Sequence, residues 1–256
     1  MSDLKAKLKN DGLVIGTMIS EIRNPNLAWM LVQSGFDFFI IDNEHGAYSP
    51  ETVSNMIAAA RGAGISVIVR IPEIRREAIM KPLDSGAAGL LVPMVNTADQ
   101  AEEIMAFAKY PPMGNRGVAL SRGHSAYGRP NAAEYLEQAN QATFIAVQAE
   151  SPQAIENLES IAATPGVDCI FVGPADLSVS MGIPGQLTHP REVEAIAKVI
   201  DVCRQHDVIP GIHMSDVATL KDWIGKGMGF VSFSSDVDLL ARAGKESLVE
   251  LRSGFK

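Results

Sequence analysis

Short apolar, β-branched runs alternate with longer amphipathic stretches from one end of the chain to the other, the rhythm of repeated βα units around a parallel sheet. Eight runs read as strands: Leu13–Met18, Phe36–Asp42, Ser66–Ile71, Gly89–Pro93, Thr143–Ala149, Cys169–Val172, Val208–Ile212 and Gly229–Phe233. Most are continuously apolar, as strands covered on both faces must be. Between them lie helical patterns such as Ser49–Arg61, where Ser49 caps, Pro50 suits the first turn, and Val53, Met56, Ile57 and Ala60 share a face before Gly62 and Gly64 stop it. Ser151–Thr164 reads the same way, with Ser151 as cap, Pro152 in the first turn and Pro165-Gly166 as terminator. Tyr110–Asn131 breaks the rhythm: rich in Pro, Gly and Arg and too long for a simple connection, it is a candidate active-site loop. Eight βα units with no linker predict an α/β fold, one (β/α)₈ barrel domain over residues 1–256.

Composition narrows the function classes. A chain that is 46% hydrophobic and 20% charged can bury a sizeable core. A net charge of −8 with no cluster of Lys or Arg argues against nucleic acid as partner. Cys169 and Cys203 lack a CxxC pattern and read as small core residues in a reducing compartment. No segment offers the roughly 18 apolar residues of a membrane span or the h-region of a signal peptide, so a cytoplasmic protein without membrane contact is expected.

Barrel enzymes carry their chemistry at the C-terminal ends of the strands. There the chain places Asp42-Asn43-Glu44-His45, Arg70, Gln148-Ala149-Glu150 and Gly173-Pro174-Ala175-Asp176. Glu150 and Asp176 together offer two hard carboxylate ligands to one divalent cation, magnesium or manganese first and cobalt third, with other positions left to water and substrate. Either acid alone would more often be a helix cap. The Gly173-Pro174-Ala175 turn opens a helix whose amides and dipole suit a substrate carboxylate. Arg70 can stabilise a developing oxyanion, a structural ion pair being the competing reading. His45 can move a proton near neutrality. Among the other histidines, His124 in the long loop is a weaker substrate contact, His213 follows strand seven, and His189 and His206 read as surface or helix positions. No spacing suggests zinc. Schiff-base chemistry needs a lysine at a strand end, and none falls there; Lys81, Lys109, Lys198, Lys221, Lys226 and Lys245 read as helical. The electrophile's work is thus left to a metal.

These residues resemble the metal-dependent class II pyruvate aldolases of the HpcH/HpaI type, which cleave and form 2-keto-3-deoxy acids. The likeness runs through Gly35-Phe36-Asp37, Ile41-Asp42-Asn43-Glu44-His45, Val69-Arg70, Leu83-Asp84-Ser85-Gly86-Ala87, Val92-Pro93-Met94-Val95, Tyr110-Pro111-Pro112-Met113-Gly114-Asn115-Arg116-Gly117-Val118, Val147-Gln148-Ala149-Glu150-Ser151 and Phe171-Val172-Gly173-Pro174-Ala175-Asp176-Leu177-Ser178. The resemblance implies a TIM barrel of the phosphoenolpyruvate/pyruvate-binding type that takes a keto acid and an aldehyde. It implies metal ligation by Glu150 and Asp176, contact of Arg70 with the keto or enolate oxygen, Gln148 near pyruvate, and proton handling by His45 paired with Asp84. It also implies a homo-oligomer, a hexamer with exchanged C-terminal helices. Asn43, Met18, His213 and the Phe233-Ser234-Ser235-Asp236 segment depart from the familiar pattern and point to a different acceptor pocket, suited to a polar or unusual aldehyde. A related lyase acting on an acyl-CoA ester or phosphonate, and a non-catalytic binding barrel, are the rival readings.

Overall fold

The computed structural model describes residues 4–253. Eight strands, β1 (Val14–Ile19), β2 (Phe38–Asp42), β3 (Ser66–Arg70), β4 (Gly89–Val92), β5 (Phe144–Ala149), β6 (Cys169–Val172), β7 (Ile209–Met214) and β8 (Phe230–Ser235), pair in sequence order and close through β1 and β8 into a parallel barrel. The helices are α1 (Leu4–Asp11), α2 (Leu27–Gln33), α3 (Pro50–Ala63), α4 (Arg76–Ser85), α5 (Ala98–Ala108), α6 (Ala132–Ala142), α7 (Pro152–Glu156), α8 (Leu158–Ala162), α9 (Pro174–Ser180), α10 (Pro190–Gln205), α11 (Val217–Lys226) and α12 (Asp236–Ser253). Among the described residues no helix is long and apolar enough to cross a membrane.

Inward residues alternate along each strand, and they build two layers of different chemistry. The lower layer is an aromatic plug. Phe230 stacks on Phe38 at 4.3 Å between ring centroids and meets Phe144 at 5.0 Å and Phe171 at 5.8 Å. Room for these rings comes from glycine: a methyl group at Gly16 or Gly211 would collide with the Phe38 or Phe171 ring. Leu4 and Leu8 of α1 join this inner cluster and cap it from below. Two residues further along, the same inward faces become polar: Asp42 follows Ile40, Arg70 follows Ile68, Gln148 follows Ala146, His213 follows Gly211, and Ser232 follows Phe230. That switch sets the floor of the site. A separate apolar cluster packs the outer barrel face against the helices.

All eight expected strands form, with no end moved by more than two residues. The extension of β7 to Met214 places His213 within the strand rather than after it, and β8 continues through Ser235. The stretch expected as one helix from Ser151 is two, α7 and α8, because Asn157 leaves helical geometry (φ −92°, ψ 7°) and gives its amide to Asn96 O at 2.8 Å. Cys169 and Cys203 are both free and buried. The long segment 110–131 connects α5 to α6, so it starts from the face of the barrel opposite the strands' C-terminal ends. Its His124 is tied to the Tyr135 hydroxyl and, at 3.0 Å, to Ala119 O, a structural role rather than a substrate contact. Lys109 caps α5 instead of lying within it. Its buried Nζ donates to Asn140 O (2.8 Å) and Thr143 O (2.7 Å) just before β5, and burial, then Lys5, lowers its pKa to about 8.

Candidate active site

The ends of β2 and β3 meet in register, Asp42 beside Arg70. Arg70 Nε and Nη2 donate to the two oxygens of Asp42 at 2.9 and 2.7 Å, and Nη1 lies 3.1 Å from Glu44 Oε2. Asp42 Oδ1 also accepts from the backbone N–H of Glu44 (3.1 Å) and His45 (3.2 Å), which fixes the loop that carries both. Burial opposes ionisation of Asp42, but Arg70 and these amides outweigh it and hold its carboxyl below the usual range. A bidentate pair of this kind delivers the guanidinium at one orientation.

Across the mouth, Glu150 follows β5 and is buried, 3% exposed. Its Oε2 accepts from Met94 N at 3.2 Å and its Oε1 from Gln148 Nε2. Met94 makes that contact from a left-handed backbone conformation (φ 54°) rare for a side chain of this size. Gly173 gives Glu150 its space, since a Cβ there would run into Glu150 Oε1. Asp176 stands exposed in the first turn of α9, whose Gly173 cap and Pro174 start the helix. Pro174 has no N–H to offer a ligand; it presets the turn, leaving donation to the residues after it.

The charges here do not balance. Asp42, Glu44, Glu150 and Asp176 face a single guanidinium, and burial, then Asp176 and Glu44, push Glu150 up to about 7. Gln148 Oε1 is buried with no partner. Among the described residues no three His, Cys, Asp or Glu side chains form a complete cage. Two carboxylates, an excess of negative charge and an unpaired amide oxygen fit a divalent cation whose remaining positions are open.

The expected residues divide accordingly. Arg70, Gln148, Glu150 and the Gly173–Asp176 turn converge at the strand ends. His45 stands at the rim, its side chain 68% exposed, with Nε2 3.9 Å from Glu44 Oε2. Asp84 does not reach it within this chain: it lies in α4 and accepts from Arg116 Nη2 at 2.6 Å. It lines a cavity of about 550 Å³ that extends to Asn43 at the mouth and to Arg122 and Tyr127 of the long segment. His189 and His206 are peripheral, His189 accepting from Arg191 N and His206 meeting Glu159 at 2.6 Å, whereas His213 stands on the inner wall with Nδ1 2.9 Å from the Ser232 hydroxyl. The sequence reading gave no role to Asp42 or Met94. The inward parity of Asp42 beside Arg70 was a usable signal; the strained backbone of Met94 left none.

The HpcH/HpaI aldolase/citrate lyase family model matches residues 17–243. The chain belongs to this family. Its activity is that of an aldolase, a carbon–carbon lyase. The chain is 35% identical over 239 residues to a 5-keto-4-deoxy-D-glucarate aldolase of Shigella boydii, covering 93% of this chain and 92% of the relative. It is 33% identical over 256 residues to a hydroxypyruvate/pyruvate aldolase of Paraburkholderia phytofirmans, covering 98% and 97%. The crystal structure of an HpcH/HpaI aldolase from Desulfitobacterium hafniense superposes with a TM-score of 0.93 at 35% identity, over 97% of this chain and 96% of that one.

Proposed function

We propose that this aldolase uses a divalent cation held by Glu150 and Asp176 to cleave 4-hydroxy-2-keto acids into pyruvate and an aldehyde, and to run the reverse addition. The observation that carries this reading is the pair of carboxylates facing Arg70 across one barrel mouth, with Glu150 raised to about 7 by burial and by its acidic neighbours. When bound, the cation, magnesium or manganese with cobalt as a third candidate, supplies Lewis-acid polarisation of the 2-keto group.

The chain's own residues do the rest. Amides of the first turn of α9 receive the substrate carboxylate, helped by the helix dipole. Arg70, fixed by Asp42, donates to the keto oxygen and more strongly to the enolate oxygen as charge develops. Gln148 orients the keto acid from the inner wall. His45 takes the proton of the 4-hydroxyl; the C3–C4 bond breaks, its electron pair passes to the enolate, and the aldehyde leaves. Protonation of the enolate at C3 gives pyruvate.

Asp84 remains a candidate partner for His45, and because one chain does not join them, that pairing would run between two copies. A homo-oligomer also accounts for α12, on which Leu240, Val249 and Leu251 are 72%, 64% and 66% exposed.

The test follows pyruvate release, coupled to lactate dehydrogenase, from a panel of 4-hydroxy-2-keto acids with magnesium, manganese or cobalt. Turnover that EDTA abolishes and added cation restores is expected. Full turnover in EDTA would overturn the metal's part, and no turnover with any cation would overturn the reading.

A further inference from the structure

The end of the barrel opposite the mouth has a cavity of its own. Ala88 and Thr143 stand immediately before β4 and β5, and with Leu4, which caps the aromatic plug from below, they bound a space of about 270 Å³. Arg61 of α3, Arg116 of the long segment and Ala139 of α6 also line it.

Its charge has one sign. Two guanidinium groups line the cavity and, among the described residues, no Asp or Glu does. Arg116 has a side chain only 4% exposed and is tied down on one side, where Nη2 donates to Asp84 Oδ1 at 2.6 Å and the guanidinium carbon lies 4.7 Å from the centre of the Tyr110 ring. Its other donors are idle: Nε is enclosed without a partner, and Nη1 makes no hydrogen bond among the described residues. Arg61 gives Nη1 to Gly123 O and forms no ion pair among the described residues. Asp84 therefore cancels one of the two charges and leaves the other uncompensated. His124 adds none. Its Nε2 faces Ala119 O, which can only accept, so the ring proton sits there and Nδ1 accepts from the Tyr135 hydroxyl. Burial, with Arg116 and Arg61 adding to it, holds the imidazole below its usual pKa and so uncharged.

A buried arginine ordinarily has its donors engaged, because a desolvated cation without partners is costly. Here the idle donors belong to a side chain that lines an enclosed space whose remaining wall is apolar, the usual make-up of a small-molecule site. One net positive charge suits a monoanion, and the apolar wall has to be covered by hydrocarbon. We propose that this cavity binds a small monocarboxylate with a short aliphatic chain, its oxygens on Arg61 and on Arg116 Nη1 and its chain against Leu4, Leu83 and Ala139. The site lies outside the catalytic mouth and stands independently of the metal-dependent mechanism. Because Arg116 also holds Asp84, the bound carboxylate and Asp84 share one guanidinium.

The test is isothermal titration calorimetry with butyrate in EDTA, so that no cation at the mouth contributes, beside 1-butanol and inorganic phosphate. Butyrate should bind, and both 1-butanol, which lacks the charge, and phosphate, which leaves the apolar wall uncovered, should bind at least about tenfold more weakly. Arg61→Gln, which removes a charged donor, and Ala139→Leu, which fills the cavity, should each weaken butyrate by about tenfold or more. Asp84→Asn should tighten it roughly threefold, since Arg116 is then uncompensated. Arg70→Lys should leave it unchanged. No heat at millimolar butyrate overturns the proposal, as does equal binding of 1-butanol or phosphate, or equal or weaker binding in Asp84→Asn. Binding lost in Arg70→Lys would place butyrate at the mouth and overturns it too. Wild-type affinity in Arg61→Gln or Ala139→Leu with an unchanged melting temperature has the same force; should Arg61→Gln fail to fold, Ala139→Leu decides.

Discussion

Arg70 reaches the mouth with its guanidinium held by two acids, and a lysine there could keep the charge but neither the bidentate pair nor its direction. Arg70→Lys should therefore lower kcat by roughly 10²–10³-fold, the cost of losing one prearranged oxyanion donor, with metal affinity largely kept. Steady-state kinetics beside a manganese titration read by electron paramagnetic resonance separate the two effects. The same titration tests Gly173→Ala, where the new methyl displaces Glu150 and manganese affinity should drop at least about tenfold. Arg70, Glu150 and Asp176 were legible in the sequence because each follows a recognisable apolar strand. Met94 and the pairing of Asp84 with Arg116 were not, since they depend on a left-handed backbone and a contact 32 residues apart. Glu192 was equally hidden: fully buried in the first turn of α10, with neither oxygen partnered, it is raised by burial to about 7. Between its unfolded value and about 7 the folded state holds the proton that the unfolded chain releases. Its contribution to stability consequently declines as pH rises across that window. Glu192→Gln should flatten the decline and raise stability at pH 8 by on the order of 2 kcal/mol, measured by urea unfolding at pH 5 and pH 8.

Among the elements, the strands were the most readable, because continuous apolar runs bounded by turns have few other uses in a chain of this length. Helix continuity was less so. Nothing in the apolar spacing of Ser151–Thr164 shows that Asn157 will spend its amide on Asn96 and split the helix. The long segment 110–131 was legible as an irregular connection but not as one leaving from the far face, since that depends on where α5 ends. The closing seam has its own fastening. Asp236, at the start of α12, accepts from the backbone N–H of Ser20 (3.0 Å), Glu21 (3.0 Å) and Ile22 (2.7 Å), tying the end of β8 to the loop after β1. Burial opposes its ionisation, yet these amides hold its carboxyl below the usual range. Asp236→Ala leaves three N–H groups without this acceptor and should destabilise the fold by about 3 kcal/mol, seen as a lower melting temperature; an unchanged melting temperature would show that the seam holds without it.

For the whole molecule, the sequence implied one barrel and the chain folds as one, with the polar layer lying on the aromatic plug and open at the strands' C-terminal ends. Its outer surface is less self-sufficient. After Asp236 no residue of α12 is buried, although Leu240, Val249 and Leu251 are apolar. Replacing Leu240 and Leu251 together by Glu should convert a larger assembly to a species of 27.4 kDa in sedimentation velocity; a wild type that already sediments at that mass would contradict the oligomer. The central claim is that this mouth makes a metal-dependent enolate of pyruvate, and it can be tested without knowing the aldehyde. Proton NMR of pyruvate in D₂O should show its methyl signal decaying by exchange in the presence of enzyme and manganese or magnesium, with the decay abolished by EDTA and by Glu150→Gln. No exchange with any cation, or exchange that survives both EDTA and Glu150→Gln, would contradict the account.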